Sequence, residues 1–338
     1  MIRHAPHVEP ERNCRAPPEG GKRGMDHEAF VRTVTGSDVV TCKVVLFKQY
    51  KKEHGSMRKH LLLTFGVAFG LLSVLMLAAL GQAAQLKEPK DIDLPAVFQA
   101  AGPDARSIQS VVDAFRAVLG EPNNANNPGP IPTGRREINW DGGGNNDTTT
   151  PPVTPFNVFL DTRGGQFTTP GAGLSQAPPS GGLGNGLFNN PTYGTTFTAF
   201  SPLRLFTPVG SNITEGLFFV PGFMGKFPAT VRGFGAVFTD VDEPDGVGPN
   251  KKRGNPRGAS TRIEYFDDED KLVFSSFVPA SPGDGSLSFF GIVFEDARIA
   301  RVRITTGSAA PGPDDDGTQD IVMMDDFIYG EPQPLSLK

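Results

Sequence analysis

Beyond Pro155 the chain never keeps one character long enough to build a helix. Clusters of Gly, Pro, Asn and Thr cut it into short stretches rich in Phe, Val, Ile and Thr. These are FNVFLD (156–161), TTFTAF (195–200), LRLF (203–206), GLFFV (216–220), TVRGFGAVF (230–238), TRIEYF (261–266), KLVFSSFV (271–278), SLSFFGIVF (286–294), ARIARVRIT (297–305) and DIVMMDDFIYG (320–330). Stretches of this length and composition, bounded by turn residues, form strands. In ARIARVRIT, Ala300, Val302 and Ile304 share one face, while Arg301, Arg303 and Thr305 share the other. That alternation marks a strand with one face in a core and one in water. YFDDEDKLVF reads as a hairpin around an acidic turn. Short strands at this spacing, with no helical pattern between them, predict an all-β antiparallel sandwich or barrel over 156–332. A domain of about 180 residues buries enough surface to be stable without cross-links.

The preceding segment, 85–155, has a different make-up: one helix and a linker. In AAGPDARSIQSVVDAFRAVLG, residues Ile108, Val111, Val112, Phe115, Val118 and Leu119 recur at helical spacing. Pro103 suits the first helical position, Asp104 favours the positive helix start, and Gly120 ends it. The single apolar stripe requires a docking surface, either the chain's own domain or a partner. EPNNANNPGPIPTG (121–134) is turn-rich and has no apolar period. It leads to GRREINWDGGG, which holds the lone tryptophan, Trp140.

Further upstream, Met57 is followed by Arg58, Lys59 and His60, then by an apolar run from Leu61 to Leu80. Gly81, Gln82 and Ala83 offer a small-x-small cleavage site before Ala84. Basic, apolar and small-residue regions in this order make residues 57–84 a secretory signal. The apolar run is also just long enough to span a bilayer as an uncleaved signal-anchor. Both readings export the chain beyond residue 84. Residues 1–56 are polar and mixed, with only VVTCKVVLF (39–47) strand-like. They read as an upstream start assigned ahead of Met57, or as a disordered extension before an anchor. At the other end, 333–338 is a short tail.

The export point also divides the chemistry. Cys14 and Cys42, and all of His4, His7, His27, His54 and His60, precede residue 61. The segment beyond therefore offers no Ser-His-Asp triad, cysteine nucleophile or Cys/His zinc site, and no disulfide. Residues 1–84 carry 12 Lys+Arg against 7 Asp+Glu, net +5, and residues 85–338 carry 20 against 30, net −10. An acidic chain lacks the basic footprint that nucleic acid requires. It suits hard cations or a neutral polymer.

GFGAVFTDVD, TRIEYFDDEDKLVFSSFVPA, SFFGIVFEDARIARVRITTG and the closing VMMDDFIYGEP resemble exported bacterial β-sandwich modules of the galactose-binding-like or jelly-roll kind. Similar stretches, GRREINWDGGG among them, occur in proteins sorted by a PEP-CTERM tail. The likeness covers about residues 95–332 and implies a jelly-roll-like fold rather than an activity. The sequence closes on EPQPLSLK, without the apolar run and basic cluster of a PEP-CTERM tail.

Metal chemistry would fall on TDVDEPDGVGPN (239–250), where Asp240, Asp242 and Asp245 present alternate carboxylates ahead of a glycine, like the first half of a calcium loop. Pro244 and the missing terminal glutamate break the EF-hand pattern, and a solvated loop is the plain alternative. GPDDDGTQD (312–320) gathers Asp314, Asp315, Asp316 and Asp320, whereas Asp267–Asp270 reads as a solubilising hairpin tip. Asp325 and Asp326, adjacent in the last strand, are expected on opposite faces, with Asp325 needing a partner beside Phe327 and Tyr329. Sugar binding would use exposed rings, for which Trp140, Tyr193 and Tyr265 are the candidates, with Tyr329 a further possibility by residue type.

These residues point to an exported, non-enzymatic module that binds a polysaccharide or cell-surface polymer, with structural Ca²⁺ as its one candidate cofactor. The rival readings are a carboxylate-pair glycoside hydrolase or lyase, which needs neither His nor Cys, and a structural subunit of an extracellular assembly. Expressed from Met57 in a bacterium, the protein should leave the cytoplasm shortened by about 27 residues. Mass spectrometry of the exported fraction checks this: an unshortened chain in the membrane selects the anchor, and retention in the cytoplasm refutes export.

Overall fold

The computed structural model describes residues 94–142, 145–242, 261–313 and 319–335. The signal segment 57–84, the extension 1–56, Asp245 and Asp314–Asp316 lie outside the described residues. The strands are β1 (Ala96–Gly102), β2 (Arg135–Ile138), β3 (Gly165–Thr168), β4 (Gly173–Ala177), β5 (Leu205–Val209), β6 (Ile213–Phe218), β7 (Ala229–Thr230), β8 (Gly233–Thr239), β9 (Arg262–Phe266), β10 (Leu272–Phe277), β11 (Leu287–Val293), β12 (Arg301–Thr305), β13 (Met323–Gly330) and β14 (Gln333–Pro334). A fifteen-residue helix, α1 (Ala105–Leu119), and two single turns, α2 (Leu160–Arg163) and α3 (Tyr193–Thr196), complete the elements used below.

The strands pair antiparallel into two main sheets. The larger runs β1-β11-β8-β13-β5-β4, with β2 added beside β13; the smaller runs β10-β9-β12-β6-β3. The expected period of two places Ile263 and Tyr265 of β9, Val302 and Ile304 of β12, and Phe218 of β6 on one face of the smaller sheet. They share a core with Phe234, Ala236, Phe238, Phe290, Ile292, Phe327 and Tyr329 of the larger one. The two sheets thus stack around a common apolar layer, in a sandwich-like arrangement.

The larger sheet is covered on its other face too. α1 begins at Asp104, whose side chain accepts from Ser107 N at 3.0 Å and caps the helix; Pro103 therefore lies outside the first turn rather than at its first position. The apolar stripe Ile108, Val111, Val112, Phe115 and Leu119 packs on Val237, Leu287, Phe289, Val293 and Ile328 of the sheet. Of the two docking surfaces open to this helix, its own domain is the one used. Elsewhere on the larger sheet, a satellite core of Leu183, Phe188, Tyr193 and Phe197 packs with Ala177, Leu205 and Met323. That double cover explains why β8, β11 and β13 are buried along their whole length, without alternation.

The division expected at residue 155 does not hold, because β1 and β2, ahead of it, are strands of the larger sheet. Two apolar stretches, FNVFLD and TTFTAF, are not strands. The first makes a single bridge through Phe156 and then turns into α2; the second enters α3 and continues as coil. Both supply rings to a core whose sheets are already complete (Phe156 and Phe159 to the main core, Phe197 to the satellite).

Phe115 sets how closely α1 approaches. Its ring meets Phe98 and Phe289 edge-on at 5.4 and 5.2 Å and lies over the cross-strand pair Gly235–Gly291. A Cβ at Gly291 would fall 2.8 Å from the ring, and one at Gly235 2.9 Å. Since Phe98 and Phe289 fix the ring, Gly291→Ala should cost about 1–3 kcal/mol through overpacking, although alanine suits a strand better than glycine. A lowered urea midpoint is the expected result, and an unchanged one would mean that the ring moves aside.

Candidate functional site

Trp140, Tyr193 and Tyr265 are not exposed platforms. All three are fully buried. The Trp140 indole stacks on Phe206 at 3.6 Å and meets Phe156, Phe159, Phe167 and Phe327 edge-on. Tyr193 sits edge-on between Phe188 and Phe197, its hydroxyl 3.1 Å from Gly312 O. Tyr265 faces the intersheet core and donates to Phe234 O at 3.3 Å; burial pushes its phenol well above its usual range. Tyr329 is buried in the same core and donates to Arg163 O at 3.0 Å. A ring that fills a core layer offers no face to a sugar, so the expectation for these residues is corrected.

The described ends of the two acidic segments meet. Asp242 N donates to Asp320 Oδ1 at 3.2 Å, and Asp242 Oδ1 accepts from Gly283 N at 2.8 Å. Asp240 is buried in the left-handed conformation, φ +68°, with its N–H on Ser286 O at 3.0 Å. Among the described residues no group of three or more His, Cys, Asp or Glu side chains is placed to hold a metal. The hairpin tip carries more than charge: Asp267 Oδ1 accepts from Glu269 N and Lys271 N, and Asp270 pairs with Arg301.

Asp325 and Asp326 depart most from the alternating pattern. β13 carries a register irregularity against β8 between Met324 and Phe327. At the same point its other neighbour changes, from β5 at Met324 to β2 from Phe327 onward. A bulge of this kind re-aims side chains, and both carboxyls converge on one hydroxyl. Ser201 Oγ lies 2.5 Å from Asp326 Oδ1 and 3.3 Å from Asp325 Oδ1. Asp325 Oδ2 also accepts from Phe200 N at 2.6 Å and Ser201 N at 3.1 Å, while its Oδ1 accepts from Asp326 N at 2.9 Å. Asp326 Oδ2 is 3.3 Å from Arg116 Nη2, the same nitrogen that reaches Glu137 at 3.0 Å. The cluster clasps α1, β2, β13 and the 200–201 segment together. Burial, and then the neighbouring Asp326, push Asp325 far above the usual carboxylate range. Burial raises Asp326 to about 6 against the pull of Ser201 and Arg116.

The outer face of the smaller sheet has a different character. There Arg303 stands opposite Glu215 of β6 on one side and Glu264 of β9 on the other. Arg301 bonds Glu215 at 2.6 Å, and its guanidinium lies 3.7 Å above the Phe266 ring. Arg262 pairs with Glu264 at 3.2 Å. These side chains are partly exposed while their strand neighbours Ile263, Tyr265, Val302 and Ile304 are buried. The Arg301 and Arg303 face was legible from the alternation of ARIARVRIT; its partners on β6 and β9 depend on sheet order.

Comparison with family models, with curated proteins and with solved structures gives no match.

The aspartate cluster predicts an unusual pH dependence. With a folded pKa of about 6 against an ordinary 3.8, Asp326 binds more protons in the folded than in the unfolded state between those values. Its contribution to stability is therefore complete below the lower value and lost as pH rises through the upper one. Urea unfolding at pH 5 and pH 7 should show the protein about 1 kcal/mol more stable at pH 5 from this group. The increment should shrink in Asp326→Asn. An equal change in both proteins would remove Asp326 as the cause.

Proposed function

We propose that the chain is an exported, non-enzymatic binding module of the jelly-roll kind, which holds a polysaccharide or other polar cell-surface polymer on the outer face of its smaller sheet. The observation that carries this reading is the asymmetry of cover. The larger sheet is packed on both faces, whereas the smaller one leaves its ladder of Arg262, Glu264, Arg301, Arg303 and Glu215 partly open. Strands hold these groups more precisely than loops would. Guanidinium and carboxylate groups in a row offer hydrogen bonds to hydroxyls, and Arg301 braced on Phe266 adds a flat, rigid surface. Calcium, if bound, would take Asp240 and Asp242 together with Asp245 and act structurally, as a hard cation on oxygen ligands.

A glycoside hydrolase is the second reading, because Glu215 and Glu264 flank Arg303 two strand spacings apart, about 9.5 Å between backbones. Carboxyl separations of about 5–9.5 Å serve hydrolysis. Against it, Glu215 is held by both Arg301 and Arg303, and a second close acid pair among the described residues, Asp325–Asp326, is buried in structural bonds. The test is a glycan array with the purified protein, with and without Ca²⁺. Binding without turnover is expected, reduced about tenfold by Arg301→Ala. Release of reducing sugar abolished by Glu264→Gln would establish the hydrolase instead, and binding unaffected by Arg301→Ala would remove this face from the proposal.

A further inference from the structure

Among the described residues, the loop between β6 and β7 presents the most exposed cluster of large apolar side chains. Phe223 and Phe227 are each 41% exposed and pack edge-on at 5.1 Å, and Met224 between them is 76% exposed. Leaving this group in water is costly unless something covers it. The backbone beneath it is fastened. Gly222 N donates to Asp161 O at 2.7 Å, Met224 N to Asp161 Oδ1 at 2.9 Å, Lys226 N to Phe223 O at 2.9 Å, and Val220 N to Phe227 O at 2.9 Å. Met224 is held at φ +52°, a conformation a methionine does not adopt without such support.

We propose that this loop is a membrane-contacting tip that seats Phe223, Met224 and Phe227 in the outer layer of a phospholipid bilayer, with Lys226 at the headgroup phosphates. Two observations select lipid over other occupants. First, much of the loop's polar backbone is satisfied internally, which lowers the cost of entering an apolar medium. Four of its N–H groups are, and the carboxylate that touches it, Asp161, is occupied by Met224 N–H. A sugar or peptide needs fixed polar side chains beside the apolar surface, and the carboxylate there, Asp161, is turned onto the loop's own backbone. Second, the charges are complementary. The one cation within the loop, Lys226, lies 5.2 Å from the Phe227 ring at the base of the apolar group. Its flexible stem lets the ammonium reach a phosphate while the rings sit deeper. This inference is independent of what the smaller sheet binds.

The test must tell the tip from the apolar run at 61–80, which would itself bind vesicles. Phe223→Trp in the full chain places a reporter in the tip, and Leu272→Trp places one on an exposed residue of β10, three strands from β6. Trp140, buried in the core, contributes a constant background that the unsubstituted protein measures. With phosphatidylcholine vesicles, alone and mixed with phosphatidylglycerol, the Phe223→Trp emission should shift to the blue. Brominated acyl chains should then quench it, while Leu272→Trp stays unquenched. Lys226→Glu should diminish the shift, most of all with phosphatidylglycerol. Equal quenching at the two sites, no quenching in vesicle-bound Phe223→Trp protein, or no association with vesicles overturns the proposal. A blue shift produced by a glycan but not by vesicles does so too, and gives the loop to a polymer ligand.

Discussion

The flat contact between Trp140 and Phe206, 3.6 Å apart and parallel within 1°, is the point on which the interior converges. One indole brings together the end of β2, strands β3, β5 and β13, and the 156–159 segment. Its Nε1 donates to Asp325 O at 3.2 Å, and its own carbonyl accepts from Gln176 of β4, so both polar ends are satisfied inside the core. Reaching that seat puts Trp140 at φ +64°, in the left-handed region that a bulky residue avoids. The surrounding rings hold it there, which is how a sparsely populated backbone conformation persists in a folded protein. The same placement explains why the single tryptophan cannot serve as a surface platform.

With the larger sheet covered by α1 on one side and the satellite core on another part of the same face, its strands lose the alternation that makes a strand recognisable. β8, β11 and β13 were legible as strands by composition alone, and facing was legible only where a strand keeps one wet side. ARIARVRIT and TRIEYF belong to the smaller sheet and keep an exposed row. The helix was legible because a stripe and its caps are local features; Gly120 ends it as expected, and it begins two residues after the expected Pro103, behind the cap Asp104. β2 was not, since RREI has the composition of a solvated segment; Arg136 lies inside because Glu331, distant in sequence, reaches it, while Arg135 pairs with Glu121 and Glu137. β1, β3 and β4 are short or poor in large side chains, and their partners are far along the chain. FNVFLD and TTFTAF have strand composition, yet the first pairs only at Phe156, with Phe167 on the edge strand β3, and the second enters a helical turn, so both fold over the core as cover.

The aspartate pair shows the same limit at a site. Asp325 and Asp326 stood out as adjacent acids in an apolar strand, and the need of Asp325 for a partner followed from the cost of burying a charge. Period-two geometry then assigns them to opposite faces. What overrides it is the change of neighbour on β13, a property of topology that no local window contains. Ser201 and Arg116, the groups that complete the cluster, lie more than a hundred residues away in sequence and belong to a coil and a helix. Their types carry no mark of the role.

Arg136 shows how the turn-rich segment 121–134 acquires a fixed course without an apolar period of its own. Its guanidinium is fully buried and forks onto Glu331, Nε to Oε2 and Nη2 to Oε1, both at 2.6 Å. Nη1 bonds Ala125 O at 2.6 Å, while Glu331 also takes Asn124 Nδ2 at 2.8 Å and Ile131 N at 3.3 Å. A buried ion pair contributes little against an apolar replacement, because desolvation of both charges offsets their attraction. Its geometry is nevertheless demanding, since every lone pair and N–H left inside must find a partner. Here those partners are backbone and amide groups of residues 124–131, so satisfying the charges dictates where that segment runs. The segment in turn carries Gly129, whose N–H bonds Pro221 O at 2.9 Å, and Pro128, which packs under Gly222. The base of the 221–227 loop is therefore positioned through a chain of polar contacts that starts at one guanidinium in the larger sheet. A rigid exposed tip at the end of a linker that looks featureless in sequence is the physical outcome of that requirement.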